Sequence, residues 1–156
     1  MSSLLADRGA VVVGGSRGIG AAVATLLAQH GAGVVVNGRD SDAARATTDG
    51  ITAGGGRAVA HAGSLSDQST AESLVDRCID EFGAIHILVN CAGIAEPHGS
   101  SILDISTAQF DELLESHLHT VFATCRAAAP KMVEQGAGSI VNTSSFAFLG
   151  LSLIHI

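Results

Sequence analysis

Short β-branched runs alternate along this chain with longer stretches whose apolar residues recur at helical spacing. Val11-Val12-Val13 is the first run of strand length. A good helix former follows from Ile19 to His30 and ends at Gly31, a residue suited to the left-handed position after a helix. Gly33-Val34-Val35-Val36-Asn37 is too apolar to alternate, which predicts a strand buried on both faces, as in parallel sheets. Asp40 or Ser41 caps a weaker helix running towards Gly54-Gly55-Gly56, and Arg57-Ala58-Val59-Ala60-His61 is the third strand. Ser66 or Asp67 opens a third helix, where Ala71, Leu74, Val75, Cys78, Ile79 and Phe82 form one apolar stripe before Gly83 stops it. Ile85-His86-Ile87-Leu88-Val89-Asn90 is the fourth strand. Beyond a loop holding Pro97, a second long stripe runs through Phe110, Leu113, Leu114, His117, Leu118, Val121, Phe122 and Cys125. Gly136 to Gly138 ends it, and Ser139-Ile140-Val141-Asn142-Thr143 is the fifth strand. Strict alternation with short connections predicts an α/β fold, a doubly wound parallel sheet with right-handed crossovers.

Composition narrows the class. The 156 residues are 47% apolar with 19 glycines and neither Tyr nor Trp, which suits helices pressed closely on a sheet. That length gives room for one domain with a real core. A net charge of −7 without a basic run argues against nucleic acid as a partner. No run approaches a membrane span and the start has too short an apolar segment for a signal peptide, so no membrane partner and a cytoplasmic location are expected. Cys78, Cys91 and Cys125 lack metal spacing and read as small buried residues in a reducing compartment. His61, His86, His98 and His119 share no ligand spacing, and no metal site is expected.

Candidate chemistry gathers at Val13-Gly14-Gly15-Ser16-Arg17-Gly18-Ile19-Gly20, where the first strand turns into the first helix. A helix N-terminus presents unpaired N–H groups that favour a phosphate. Gly14 and Gly18 let main chain approach a ligand, and Gly20 lets the helix lie close on its strand. The Gly-x-Gly-x-x-Gly fingerprint counted from Gly18 would end at Val23, and a Gly-Lys phosphate loop is excluded because Lys131 is the only lysine. On these residues alone, a structural βα corner without ligand is the alternative. Ligands of such sheets lie beyond the carboxyl ends of the strands. At the second end an NAD site would place an acid for the ribose 2′-hydroxyl, but this chain has Asn37-Gly38-Arg39. The Arg39 guanidinium suits a 2′-phosphate through bidentate, charge-assisted bonds, and Arg17 can reach it from the other side. Two arginines and a missing acid favour NADP over NAD. The alternative for Arg39 is a solvated loop residue, and Asp40 is explained as a helix cap.

The Gly-x-x-x-Gly-x-Gly spacing resembles the glycine motif of the short-chain dehydrogenase/reductase family, with Val13 where that family usually has Thr. Asn90-Cys91-Ala92-Gly93 is similar to the family's Asn-Asn-Ala-Gly, while Ser64-Leu65 departs from its Asp and apolar residue beside the adenine. Asn142-Thr143-Ser144-Ser145 puts Ser145 at the family's catalytic serine, whose hydroxyl holds the substrate carbonyl. Ser116-His117-Leu118 matches the place of an Asn that holds a water of the proton relay, a place some members fill with His. Without that context, His117 reads as a core histidine with a satisfied hydrogen bond. The resemblance implies a Rossmann-type, three-layer α/β/α fold with strand order 3-2-1-4-5. It implies a cofactor site of Gly14, Ser16, Arg17, Gly18, Ile19, Gly20 and Arg39, with Asn90, Ala92 and Gly93 near the cofactor's middle. The Asn90 side chain can equally tie neighbouring strands together.

By the same resemblance the parent would be an NADPH-linked carbonyl reductase or alcohol dehydrogenase acting on a small molecule. A 3-oxoacyl thioester is the first substrate class expected, and a homo-oligomer the expected full-length form. The family's proton donor is the Tyr of Tyr-x-x-x-Lys, and this chain contains no Tyr. The expectation is therefore an NAD(P)-binding domain over 1–150, truncated after the fifth strand and inactive as it stands, with 151–156 a foreign or frame-shifted tail. A non-catalytic dinucleotide-binding or interaction module is the rival reading. Without its usual neighbour the fifth strand would form an open edge.

Overall fold

The strand Gly9–Val13 (β1) has every residue buried and lies at the centre of a five-stranded parallel sheet. This computed structural model describes residues 3–94 and 103–145. β1 is flanked by Gly33–Gly38 (β2) and Ile87–Asn90 (β4), so that Val11 stands between Val35 and Leu88. Arg57–Ala62 (β3) pairs outside β2 and Ser139–Asn142 (β5) outside β4, giving the order β3-β2-β1-β4-β5. This is the Rossmann-type order expected. The chain winds outwards to β3, then crosses back over β1 to begin the second half, and the order reverses between β1 and β4.

The helices Gly18–Gln29 (α1) and Ser41–Ala53 (α2) cover one face, and Gln68–Phe82 (α3) and Thr120–Glu134 (α5) the other. Side chains of a strand point alternately to the two faces. Ala10 and Val12 accordingly pack with Ala24, Ala28, Ala44 and Ile51 under α1 and α2. Val11 and Val13 pack with Leu74, Cys78, Ala127 and Met132 under α3 and α5. Two cores back to back explain why β1 and β2 carry apolar residues at successive positions. Asp40 caps α2, accepting from the N–H groups of Asp42 and Ala43, and Asp67 caps α3 by accepting from Thr70 N–H. Gly83 closes α3 at φ +82°, a left-handed conformation that glycine adopts without a Cβ penalty.

Two expectations change. The fourth strand begins at Ile87 rather than Ile85: its register with β1 starts at Ala10↔Ile87, and His86 just before it donates its N–H to Gly9 O while its Nδ1 accepts from Gly9 N–H. The long stripe from Phe110 to Cys125 is not one helix. Thr107–Leu114 (α4), opened by a Ser106–Gln109 capping box, passes into a π-helical turn over Glu115–His119 before α5. The wider turn rotates the phase of α5 relative to α4. The buried face of α5 is Thr120, Ala123, Thr124, Ala127, Ala128 and Met132, small residues that let the helix lie close to the sheet, while Phe110, Leu118 and Phe122 are exposed. Pro97, the tail 151–156 and the residues 146–150 before it lie outside the described residues.

Candidate functional site

A groove of about 640 Å³ opens at the carboxyl ends of β1, β2, β3 and β4, with α4, the π-turn and the start of α5 as its far wall. Its floor is the glycine turn. Gly14 takes φ +74°, and a Cβ there would stand 2.7 Å from Ala92 Cα, so the turn presses directly on the backbone after β4. Ser16 is held from two sides: its carbonyl accepts from Thr47 Oγ1 of α2 at 3.0 Å, and its side chain lies against Gly38. Arg17 stands before α1 and reaches sideways, its Nη2 3.0 Å from Asp40 Oδ2. Arg39 is exposed and has no ion-pair partner among the described residues.

Of the expected cofactor residues, Gly14, Ser16, Arg17, Ile19, Gly20, Arg39, Ala92 and Gly93 line this groove together. Gly18 is close by in sequence but is not part of the lining, and a Cβ there would meet open space. Asn90 is buried behind the groove. Its Nδ2 donates to Asn142 Oδ1 at 2.8 Å and its Oδ1 accepts from Thr124 Oγ1 at 2.9 Å, tying β4 to β5 and to α5. A buried amide with its hydrogen bonds satisfied is a positioning element for the strand ends.

His117 and Ser145 also stand outside the lining. The His117 ring packs over Gly93, leaving no room for a Cβ, and its Nε2 lies 2.9 Å from Ile94 O and 3.2 Å from Ile94 N. It is exposed rather than in the core, on the π-turn, where it holds the backbone after Gly93. Ser145 is exposed after β5, close in sequence to Thr143, whose N–H donates to Asn90 O and whose Oγ1 is 3.4 Å from Cys91 Sγ.

Several residues of the site carry no motif. Asn37 is buried and its Nδ2 donates to His61 O at 3.0 Å and Gly63 O at 3.2 Å, which fixes the end of β3 beside β2. The signal for it is an amide at the end of a wholly apolar run. Ser64 and Leu65 line the groove, so the departure from the family's motif stands in the expected place. Glu112, Glu115, Ser116 and Thr120 form the far wall, and Glu115 accepts from Ser66 Oγ at 2.7 Å, bridging the loop after β3 to the π-turn. No local pattern announces that bridge, because it depends on the phase change at the π-turn.

The charges around the groove have physical causes. The N–H of Ala43, then that of Asp42 and the Arg17 charge, hold the Asp40 carboxyl below the ordinary carboxylate range against its partial desolvation. In a separate recess beside β3, burial and then the Arg77 charge lower the His61 pKa below its ordinary value. Cys78 is inert in this respect, its thiol pushed up to about 12 by burial.

A parallel sheet with a glycine turn, cationic side chains and a groove at the reversal of strand order defines a nucleotide-binding α/β protein of the Rossmann type. A family model described as short chain dehydrogenase matches residues 8–150, and the chain belongs to that family. It is 38% identical over 151 residues to an L-rhamnose 1-dehydrogenase (NAD(P)(+)) of Azotobacter vinelandii, covering 94% of this chain and 58% of that protein. It is 32% identical over 146 residues to a 3-oxoacyl-[acyl-carrier-protein] reductase of Chlamydia muridarum, covering 93% and 58%. The crystal structure of a metagenomic short-chain oxidoreductase in complex with NADP superimposes with a TM-score of 0.85 at 38% identity, over 92% of this chain and 64% of that one. The chain thus spans about 58% of the length of the curated relatives it matches.

Proposed function

We propose that this chain is the dinucleotide-binding part of a short-chain oxidoreductase that prefers NADP(H). The observation that carries the reading is the groove itself: Gly14 presses the turn onto Ala92, and Arg17 and Arg39 stand at the same rim. The residues fit the group. Glycine positions that a Cβ would fill and two guanidinium groups are what a pyrophosphate and a 2′-phosphate require. When bound, the dinucleotide supplies or accepts the hydride. The N-terminus of α1 and the glycine turn hold its phosphates, and Arg39 pairs with the 2′-phosphate. Ala92 and Gly93 line its middle, and His117 holds the backbone that makes this lining. Ser145 orients the carbonyl or alcohol oxygen of a small-molecule substrate by a hydrogen bond from its hydroxyl. A 3-oxoacyl thioester is the first substrate class to test, supported by one relative of that activity at 32% identity.

The absence of Tyr from the 156 residues favours a second reading for this polypeptide by itself: dinucleotide binding without carbonyl reduction. A positioned proton donor typically contributes about 10²- to 10⁴-fold. Titration with NADPH and NADH, followed by the fluorescence of the reduced nicotinamide, tests the binding. NADPH is expected to bind more tightly, and Arg39→Asp to weaken it about 10-fold while changing NADH less, a difference of ~1.4 kcal/mol. A chain that binds neither dinucleotide overturns the reading. Equal loss of both in Arg39→Asp overturns the part assigned to Arg39.

A further inference from the structure

We propose that Asp40 tunes the choice between NADP(H) and NAD(H) by holding Arg17. The inference rests on the dinucleotide reading above and adds a specificity residue to it. In the sequence Asp40 is accounted for as a helix cap, and its Oδ1 does cap α2, accepting from Asp42 N–H at 3.0 Å and Ala43 N–H at 3.1 Å. Its other oxygen, Oδ2, is 3.0 Å from Arg17 Nη2. One carboxylate therefore closes two structures, the start of α2 and the glycine turn. The two backbone donors fix its position, so the negative charge is a permanent part of the rim. The bond from Thr47 Oγ1 to Ser16 O ties the same helix to the same turn and keeps the two groups in register.

The two cations of the groove are thereby unequal. Arg39 has no ion-pair partner among the described residues, whereas Arg17 is committed to a carboxylate. A ribose with a free 2′-hydroxyl leaves that pair intact. A 2′-phosphate has to draw Arg17 away from Asp40 before it can use that guanidinium. The cost of opening the pair subtracts from the preference that two arginines would otherwise give. The side chains of Arg17 and Asp40 are 72% and 53% exposed, so water and salt screen the pair and it can open. Asp40 biases the choice without fixing it.

Asp40→Asn separates the two jobs of the side chain, because Asn caps a helix about as well as Asp and carries no charge. The 156-residue chain and its variant are titrated with NADPH and NADH at low salt and again at high salt. The ratio of NADPH to NADH affinity is expected to rise about 2- to 5-fold in Asp40→Asn, the size of one exposed charge pair. High salt is expected to shrink the gain, and an Arg17→Gln background to abolish it. Asp40→Ser, which also caps, repeats the measurement should the Asn variant fail to fold. An unchanged ratio with both dinucleotides bound overturns the inference and leaves the dinucleotide reading standing. A gain that survives in Arg17→Gln overturns it as well, since the charge would then act without Arg17. A chain that binds neither dinucleotide removes the inference together with the reading beneath it.

Discussion

The sheet has two edges, and they are protected very differently. β3 pairs with β2 over six positions, from Gly33↔Arg57 to Gly38↔Ala62, and its middle four residues are half-buried. Ala58 and Ala60 pack with Ala44 and Ile51 of α2, and Val59 packs on the opposite core. The ends of β3 are polar, with Arg57 donating to Gly31 O and Asn37 donating to His61 O. β5 pairs with β4 over four positions, and every residue is exposed, Ile140 by 37% and Val141 by 53%. The β3 edge is blunted by helix cover and charge, the usual devices against edge-to-edge pairing. The β5 edge has apolar residues in its middle and no charged side chain, and among the described residues only α5 reaches it, on one face. Apolar content thus does not decide burial; cover by crossover helices on both faces does.

The largest test of that difference uses one substitution in two places. Leu74 in α3 is fully buried beneath β1 and β2, whereas Leu118 on the π-turn is 60% exposed. Leu74→Ala is expected to cost ~2–5 kcal/mol, the transfer and cavity cost of a core leucine. Leu118→Ala is expected to stay within about 0.5 kcal/mol, as exposed substitutions usually do. Denaturant unfolding of both variants measures it. Equal losses would mean that the outer side of the π-turn is as covered as the core.

The same contrast explains what can be read from the chain. β1 and β2 are legible because valine fills successive positions, and a strand buried on both faces has no other pattern to show. The caps at Asp40 and Asp67 narrow to two candidates each, since a cap is a local event within one turn of its helix. The stripe from Phe110 to Cys125 misleads for a physical reason. Helical periodicity assumes a constant turn, and the π-turn at Glu115–His119 breaks that assumption without a Pro or Gly to mark it. In the site, glycine spacing points to Gly14 and Gly20. The Arg17–Asp40 pair and the Ser66–Glu115 bridge span 23 and 49 residues, and nothing in either local sequence reports the other partner.

A second, smaller effect should appear at the open edge itself. Exposed apolar strands with free N–H and C=O groups invite pairing between chains. Val141→Lys places a charge in the middle of β5 without touching the groove or either core. Sedimentation at rising concentration is expected to show the unmodified chain associating and the variant shifted towards monomer. Matching sedimentation of the two would show that β5 is not the adhesive surface. Val59→Lys, at the half-buried edge, is expected to lower stability instead, so the two edges should respond in different observables.

The smallest expected effect is in pH, and it should enter through the β3 edge. His61 lies in β3 opposite Asn37, while Ser139–Asn142 holds no titratable side chain. Desolvation lowers the His61 pKa from 6.5, and the Arg77 charge lowers it further, although Glu72, Asp76 and Asp80 share the same recess. His86, whose Nδ1 accepts from Gly9 N–H and must be neutral to do so, is lowered by burial and by Arg8. A histidine lowered on folding binds fewer protons in the folded chain than in the unfolded one. Stability therefore rises with pH, is fully present above about 6.5, and is lost as pH falls through the lowered folded value. Asp40 and Asp67 act in the same direction but below 3.8, so a comparison of pH 7 with pH 5 isolates the histidines. The melting temperature should be lower at pH 5, and His61→Gln should remove part of that difference while leaving the contribution of His86. A pH 7 to pH 5 difference that His61→Gln leaves unchanged would show that His61 titrates alike in the folded and unfolded chain, and that the β3 edge does not desolvate it.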